Sequence, residues 1–314
     1  LRIDPMSRPA LRVPSGEPAT APTAPSRTRL ATETGMIPLP VSRFASSPVH
    51  TIRVGATLDE AARRMSDALI SSLVVITDGV GAAGHDGVIA GILTRTDLLR
   101  AGRLRATMAD RPALLSMPHL HVAERMRRDV VTVAPSATVS DAAALLWQRR
   151  IHRVVLEVEG PSGRRPTGIF STRDLLRAVS EARVDLPLAR AMTSPVITVA
   201  ADETLARATE ILIDGKLRGV VVVDDAGGGG GESAWPVGLF TQREAMESEA
   251  RASDTPVEEV MSAALLCLPP DMPLHRAATF AQATRARSIL VVEGRRMRGL
   301  VTGLDIARVV SGQS

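Results

Sequence analysis

The chain has 314 residues, 45% of them hydrophobic, with four Phe, two Trp and no Tyr. That length suits about two domains at ~100–200 residues each, and so few aromatic side chains argue against a single-strand nucleic-acid binder that grips bases by stacking. Basic residues exceed acidic ones by four. They are nearly all arginine, and Lys216 is the only lysine. Arginine forks match phosphate oxygens, although a compositional bias of the source genome accounts for the excess as simply. The arginines are scattered rather than run together, so no nucleic-acid footprint is visible. Cys267 is the only cysteine, which excludes a disulfide or a cysteine metal site within one chain and suits a reducing, cytoplasmic setting. No apolar run approaches the ~20 residues of a membrane span, and the N-terminus lacks a secretory pattern.

Residues 1–40 are rich in Pro, Ala, Thr, Ser and Arg without a helical or alternating period. Such a segment buries too little apolar surface to offset its ordering entropy, and a disordered tail is predicted. The chain opens on Leu1, and both Met6 and Met36 suit a translation start, Met36 standing just ahead of the first folded unit.

From residue 41 an internal repeat takes over. Four short strands anchor it: Val49–Ile52, Val130–Val133, Val196–Val199 and Leu265–Leu268. Six residues after Thr51, Thr132, Thr198 or Cys267 stands a helix-start residue, Thr57, Thr138, Thr204 or Pro273. Threonine suits an N-cap and proline a first turn. Helix-period segments follow, such as Val139, Ala142, Ala143, Leu146 and Trp147 in the second unit. Next come the apolar runs Leu73–Ile76, Val154–Leu156, Val220–Val223 and Ile289–Val292, which read as buried strands. Turns of variable length come after them: 78–88, 159–167, a loop holding the glycine run 227–231, and 294–298. A loop that varies at one fixed place is where a repeat tolerates insertion.

Each unit ends in the same strand-to-helix junction. The four copies are Gly91-Ile-Leu-Thr94-Arg-Thr-Asp97, Gly168-Ile-Phe-Ser171-Thr-Arg-Asp174, Gly238-Leu-Phe-Thr241-Gln-Arg-Glu244 and Gly299-Leu-Val-Thr302-Gly-Leu-Asp305. Apolar residues ten before each anchor, Val41, Val122, Leu188 and Val257, recur at intervals of 81, 66 and 69 residues. The predicted architecture is α/β (α+β), with four units of strand, helix, strand, strand, helix over residues 41–110, 122–180, 188–249 and 257–312. A unit this small buries only part of its apolar surface alone, so pairing of units is expected.

With Met126, Met192 and Met261 each six residues before an anchor, the fourfold pattern resembles the CBS-domain family over residues ~41–312. The resemblance implies that repeats pair into Bateman modules, the first with the second and the third with the fourth. A four-repeat chain of this kind is similar to the gamma subunit of AMP-activated protein kinase and to stand-alone microbial CBS proteins. It further implies clefts that bind adenine nucleotides or S-adenosylmethionine as regulatory ligands, with no obligatory cofactor. The junction acid would grip the ribose hydroxyls, and the junction hydroxyl the phosphates or sugar. The matching residues are Asp97, Asp174 and Asp305 with Thr94, Ser171 and Thr302. In the third repeat Thr241 is followed by Glu244, whose longer arm moves the carboxylate by about one bond. Apolar residues near the first strand and the second-strand entry would hold the base, and Thr51, Thr132 and Thr198 on the anchor strands are counted among the ligand-binding residues.

The chemistry suits the residues. A helix N-terminus offers unpaired N–H groups to phosphate, and a carboxylate can accept both ribose protons. The junction glycine lets a ligand or a neighbouring backbone approach closely. The same Thr/Ser-x-x-Asp/Glu spacing is also that of a capping box, in which the acid reaches back to the cap residue's own N–H. His152, Arg153, Arg218 and Arg287, at the start of the second strand, are placed to meet phosphates or to stand as solvated charges. Arg173, Arg243 and Arg95, inside the junctions, are similar. His119 and His121 lack the further ligands of a metal site, Cys267 reads as a small core residue, and the glycine run lacks the Gly-Lys-Ser/Thr of a phosphate loop.

The leading expectation is a non-catalytic regulatory module acting on a separate effector protein or through self-assembly, with a homodimer of modules or one disc within the chain. The competing expectation is a constitutive scaffold with empty clefts. No paired carboxylates, Ser-His-Asp order or metal set points to an enzyme.

Overall fold

The computed structural model describes residues 35–77, 87–108, 119–215, 217–224, 235–248 and 251–313. Most of the N-terminal tail, residues 78–86 of the first variable loop and the glycine run 227–231 lie outside the described residues.

Four three-stranded sheets are present among the described residues, one per repeat. Repeat 1 holds β1 (Thr51–Arg53), α1 (Leu58–Asp67), β2 (Ser72–Ile76), β3 (Ile89–Thr94) and α2 (Arg95–Met108). Repeat 2 is led by the one-turn helix α3 (Val122–Arg125) and holds β4 (Thr132–Val133), α4 (Val139–Gln148), β5 (Arg153–Gly160), β6 (Gly163–Ser171) and α5 (Thr172–Glu181). Repeat 3 comes next with α6 (Leu188–Ala191), β7 (Thr198–Ala200), α7 (Leu205–Asp214), β8 (Gly219–Asp224), β9 (Trp235–Thr241) and α8 (Gln242–Glu247). Repeat 4 holds β10 (Cys267–Leu268), α9 (Leu274–Ala283), β11 (Ser288–Glu293), β12 (Arg296–Thr302) and α10 (Gly303–Val310). In every sheet the first strand runs parallel to the second, through a crossover helix, and the second pairs antiparallel with the third.

Local chemistry sets the boundaries. The hydroxyls of Thr57, Thr138 and Thr204 accept from the N–H of Glu60 (3.2 Å), Asp141 (3.1 Å) and Arg207 (3.2 Å), which pairs a donor that the first helical turn leaves free. Pro273 stands at the N-cap itself, one place before the expected first-turn position. Two hairpins run further than the sequence suggests. β5 and β6 pair out to Gly160 and Gly163, and β11 and β12 out to Glu293 and Arg296, so most of 159–167 and 294–298 is strand.

The anchor strands are shorter than expected, because only their last two or three residues pair with the second strand. The residue after the anchor enters the core each time: Ile52, Val133, Val199 and Leu268 are all buried. Strand alternation then sends the anchor residue outward. Cys267 is therefore exposed, not a core residue.

The segment that leads each repeat crosses to the paired repeat. Val122 is fully buried in the core of repeat 1, and its N–H donates to Ala56 (2.8 Å). Val41, in a short 3-10 turn (Val41–Arg43), donates to Ala137 of repeat 2 (2.7 Å). Leu188 donates to Met272 of repeat 4 (2.9 Å), and Val257 to Glu203 of repeat 3 (2.8 Å). Each crossing segment also forms an antiparallel bridge with the third strand it reaches: Arg127 with Ile92, Ser46 with Ile169, Thr193 with Leu300 and Ser262 with Leu239. The junction glycine is the landing place. A Cβ added at Gly91 would stand 2.7 Å from Met126 Sδ and 2.8 Å from the Arg127 carbonyl, and one at Gly238 2.3 Å from Met261 Sδ and 2.9 Å from the Ser262 carbonyl. At Gly299 the neighbour is Met192, and at Gly168 it is the smaller Ala45.

Residues 35–40, expected to be disordered with the rest of the tail, are ordered. Ile37 is fully buried in a core shared by repeats 2 and 4. Its N–H donates to Ser140 Oγ (2.7 Å), whose hydroxyl donates to the Val310 carbonyl (3.0 Å). The apolar trio Ile37, Leu39 and Val41 supplies the burial that the composition upstream lacks.

Two kinds of contact close the four repeats into a ring. Sheets meet between repeats 1 and 2, around Val74, Ile92 and Val155, and between 3 and 4, around Val221, Val223 and Leu290. Helices meet between repeats 2 and 4, where α5 packs on α9 and α4 on α10, and between 1 and 3, where α2 packs on α8. The pairing is thus that of two Bateman modules, joined helix to helix within one chain.

Alanine at Gly91 or Gly238 should be the worst tolerated of the four glycine substitutions, because backbone as well as methionine blocks the new methyl. We expect a loss of ~1–3 kcal/mol by urea denaturation, with Gly168→Ala, facing only Ala45 and Leu156, the mildest. Equal losses at all four would count against the landing-place account.

Candidate functional site

All four junctions are capping boxes. The N–H of Thr94, Ser171, Thr241 and Thr302 donates to the carboxylate three residues on, at 2.9, 2.8, 3.1 and 2.7 Å. Each hydroxyl donates to the same oxygen, Oδ2 of Asp97, Asp174 and Asp305 or Oε2 of Glu244. One oxygen of each acid is thus committed to the helix start. In the three aspartates the other oxygen faces the crossing segment. Asp97 Oδ1 meets Arg127 Nε (3.4 Å), Asp174 Oδ1 accepts from Ser46 (3.4 Å), and Asp305 Oδ1 accepts from Thr193 (2.6 Å).

These differences separate the repeats. Asp97 already has a guanidinium on its second oxygen. Asp174 and Asp305 have only a neutral hydroxyl there, and both line the central cavity, whereas Asp97 and Glu244 do not. The cavity measures about 1350 Å³ and is reached from all four repeats. Around Asp174 its wall is formed by Ser46, Ser47, Pro48 and His50; around Asp305 by Thr193, Pro195, Val196 and Ile197. Ile197 is 51% exposed, an apolar side chain open to the cavity.

The arginines scattered in sequence converge here. Arg95, Arg153, Arg218 and Arg287, one from each repeat, line the cavity together with Arg173 and Arg243. Arg153 reaches across its module, donating to Ser71 Oγ (2.8 Å) and to Ser72 Oγ. Burial first, and then the positive charges of neighbouring arginines, lower the pKa of Arg153 to about 10 and of Arg218 to about 9. Arg95 and Arg287 are lowered by the same two causes, burial first. Arg243, at the rim, is instead raised by its hydrogen bond to Glu247 (2.6 Å). His152 also lines the cavity, and burial, then Arg218 and Arg153, push its imidazole down to about 2.

Of the residues singled out in the sequence, the cavity brings together Thr94, Ser171, Thr241, Thr302, Asp174, Asp305, His152, Arg153, Arg218 and Arg287. It leaves out Thr51, Thr132 and Thr198. The Thr132 hydroxyl is turned to Glu157 (2.8 Å), and the residues that reach the cavity are the preceding His50, Val131 and Ile197. Ser46, Thr193 and Arg127 were not legible as site residues, because each acts on the junction of the paired repeat. The signal for them was the fixed spacing of the methionines, which marks the crossing segment. His121 serves as a helix cap, its Nδ1 2.9 Å from the Gly55 carbonyl.

A ring of four strand-helix-strand-strand-helix units with acid-bearing junctions around a shared cavity defines a tandem-repeat α/β protein. The chain belongs to the CBS-domain family, which matches it at residues 41–103, 122–181, 185–250 and 257–312. Among its relatives, protein MK0525 of Methanopyrus kandleri is 31% identical over 147 residues, 46% of this chain and 70% of that one. Among solved structures, protein MJ1225 of Methanocaldococcus jannaschii, described as a proposed archaeal homologue of the gamma subunit of AMP-activated kinase, superposes with a TM-score of 0.70 at 18% identity. That match covers 86% of this chain and 99% of that one. A conserved protein of Pyrococcus horikoshii gives 0.58 at 20% identity over 87% of this chain and 100% of that one. At these identities the two structures establish the shared fold. No helix among the described residues is long and apolar enough to cross a membrane.

Because His152 stays neutral in the fold, acid protonates it only in the unfolded chain, whose ordinary value is 6.5. Stability should therefore fall as pH drops below about 6.5, by at most ~1.4 kcal/mol per unit from this one group. His152→Gln removes that component. Between pH 7 and 5 the stability of wild type relative to the variant should decline by on the order of 1–2 kcal/mol, read by denaturation at each pH. Parallel curves would show that His152 takes up its proton in the fold.

Proposed function

We propose that this chain is a non-catalytic regulatory module that binds an adenosyl ligand, AMP, ADP, ATP or S-adenosylmethionine, in the clefts of repeats 2 and 4. The observation that carries this reading is the second oxygen of Asp174 and of Asp305, which opposes only a hydroxyl and opens on the cavity. A ribose diol can take over the place of Ser46 or Thr193 without disturbing the cap. His50 in one cleft and Pro195 with Ile197 in the other offer a flat or apolar face to a base. The helix starts at Thr172 and Gly303 point N–H groups at the phosphates that a nucleotide carries on its ribose.

Repeats 1 and 3 are the poorer sites, Asp97 being held by Arg127 and Glu244 lying off the cavity. Ligand would act by binding one arrangement of the ring more tightly than another, which is the only way it can shift a partner equilibrium. Arg153 is the natural relay, since it ties repeat 2 to Ser71 and Ser72 of repeat 1 from the cavity wall. The output is a separate effector protein or a homodimer. The ring closes within a single chain, so a second copy would add an outer face rather than complete a cleft.

The test is calorimetric and thermal titration of the full chain with each of the four ligands. A ligand at a hundred times its Kd stabilises by ~2.7 kcal/mol, which raises the midpoint at roughly 2–4 °C per kcal/mol. Asp174→Asn and Asp305→Asn should each remove one binding event, while Glu244→Gln removes none. Flat curves with all four ligands would replace this reading by the empty-cleft scaffold.

A further inference from the structure

One residue of the crossing segment sets repeat 1 apart from the clefts of repeats 2 and 4. The residue that bridges the third strand is Ser46 beside Asp174 and Thr193 beside Asp305, but Arg127 beside Asp97. The rest of the repeat 1 cleft follows the plan of the other two. Thr94 and Asp97 form the same capping box at the start of α2. Val130 and Val131 follow the bridge as Val196 and Ile197 follow Thr193, and all four line the cavity. Thr94 lines it too. What differs is the ribose place: Arg127 lines the cavity and Asp97 does not, whereas Asp174 and Asp305 do. Repeat 3 lacks this plan, since neither Ser262, which bridges Leu239, nor Glu244 reaches the cavity.

Arg127 is held lightly. Its Nε stands 3.4 Å from Asp97 Oδ1, and its side chain is 50% exposed. An ion pair with so exposed a partner contributes little. The bridge to Ile92 is made by backbone alone, through two hydrogen bonds of 2.9 Å, so docking of the segment does not need the guanidinium.

We infer that repeat 1 holds a third adenosyl cleft whose ribose place is filled by the Arg127 side chain, and that residue 127 thereby sets how many ligands the ring takes. The inference rests on the reading of Asp174 and Asp305 as ribose-gripping acids. In each cleft the cap leaves one carboxylate oxygen free for a diol. Where that oxygen meets Ser46 or Thr193, a diol replaces one neutral hydroxyl by another. Where it meets Arg127, the diol must displace a charge-assisted partner, the stronger kind of hydrogen bond. The cleft suits the same chemical class, an adenosyl group with free 2′ and 3′ hydroxyls, and opens when arginine gives way to a short hydroxyl side chain.

The probe is adenosine, which carries the diol and no phosphate, titrated calorimetrically into the full chain. Wild type should take two equivalents and Arg127→Ser three. Arg127→Lys, which keeps the charge, should stay at two. Adding Asp97→Asn to Arg127→Ser should abolish the third event or weaken it by about tenfold or more. If Arg127→Ser fails to fold, Arg127→Thr, which copies Thr193, is read in its place. Two equivalents in both wild type and the hydroxyl variant would overturn the inference and leave the clefts of repeats 2 and 4 standing. A third event indifferent to Asp97→Asn would overturn it as well, by placing the new site elsewhere. No binding by any of these proteins would overturn both readings. One equivalent in the hydroxyl variant alone would uphold the third cleft and remove the other two.

Discussion

The docking of each leading segment onto the junction glycine of the paired repeat is the contact on which the rest of the structure depends. It pairs one residue on the outer edge of each third strand, Ile92, Ile169, Leu239 or Leu300, through a backbone bridge, so that residue's N–H and C=O are not left unpaired. It also delivers Val122, Val41, Leu188 and Val257 into cores that are not their own. The same segments bring Ser46, Arg127 and Thr193 opposite the junction acids. Pairing of repeats and assembly of the clefts are therefore one event. A lone repeat would lose a core residue, a strand partner and half of its cleft together.

Charge opposes what packing builds. The helix starts and second-strand starts of four repeats converge on one space, and the chain has placed arginine at many of those positions. Burial and mutual repulsion depress the guanidinium groups of Arg153 and Arg218, which is a free-energy cost carried by the folded ring at neutral pH. The shared core of repeats 2 and 4, reinforced by Ile37 and its hydrogen bond to Ser140, lies on the side of the ring best able to offset that cost. Repeats 1 and 3 meet more lightly, through Leu99, Met246 and a Thr96–Gln242 hydrogen bond of 2.8 Å.

Much of this architecture was legible in the sequence because it repeats. One junction alone is a weak pattern, whereas four in register give the strand-helix-strand-strand-helix unit and the pairing of the first with the second and the third with the fourth. The crossing of the leading segments was not legible, since hydrophobic period reports that Val122 or Leu188 is buried and not which core buries it. Strand parity was a second blind spot: Thr132 belongs to the site by spacing, yet alternation turns it away from the cavity. The arginines were legible one by one as phosphate candidates, but their convergence on one cavity was not, for a third reason. Arg95, Arg153, Arg218 and Arg287 are far apart along the chain, and only closure of the ring makes them neighbours.

Capping and ligand binding, alternatives from sequence, are compatible in three dimensions. A carboxylate has two oxygens, and a capping box uses one. In Asp174 and Asp305 the box fixes the orientation of the acid, because Oδ2 is held by both the N–H and the hydroxyl of the cap residue. The second oxygen then projects in a set direction with its rotamer already restricted, which lowers the entropy lost when a ligand is gripped. The fate of that oxygen depends on the segment arriving from the paired repeat. Where a hydroxyl arrives, the oxygen remains exchangeable; where Arg127 arrives, it gains an ionic partner from within the chain. Four similar junctions thereby acquire unequal surroundings through residues that lie outside the junctions altogether.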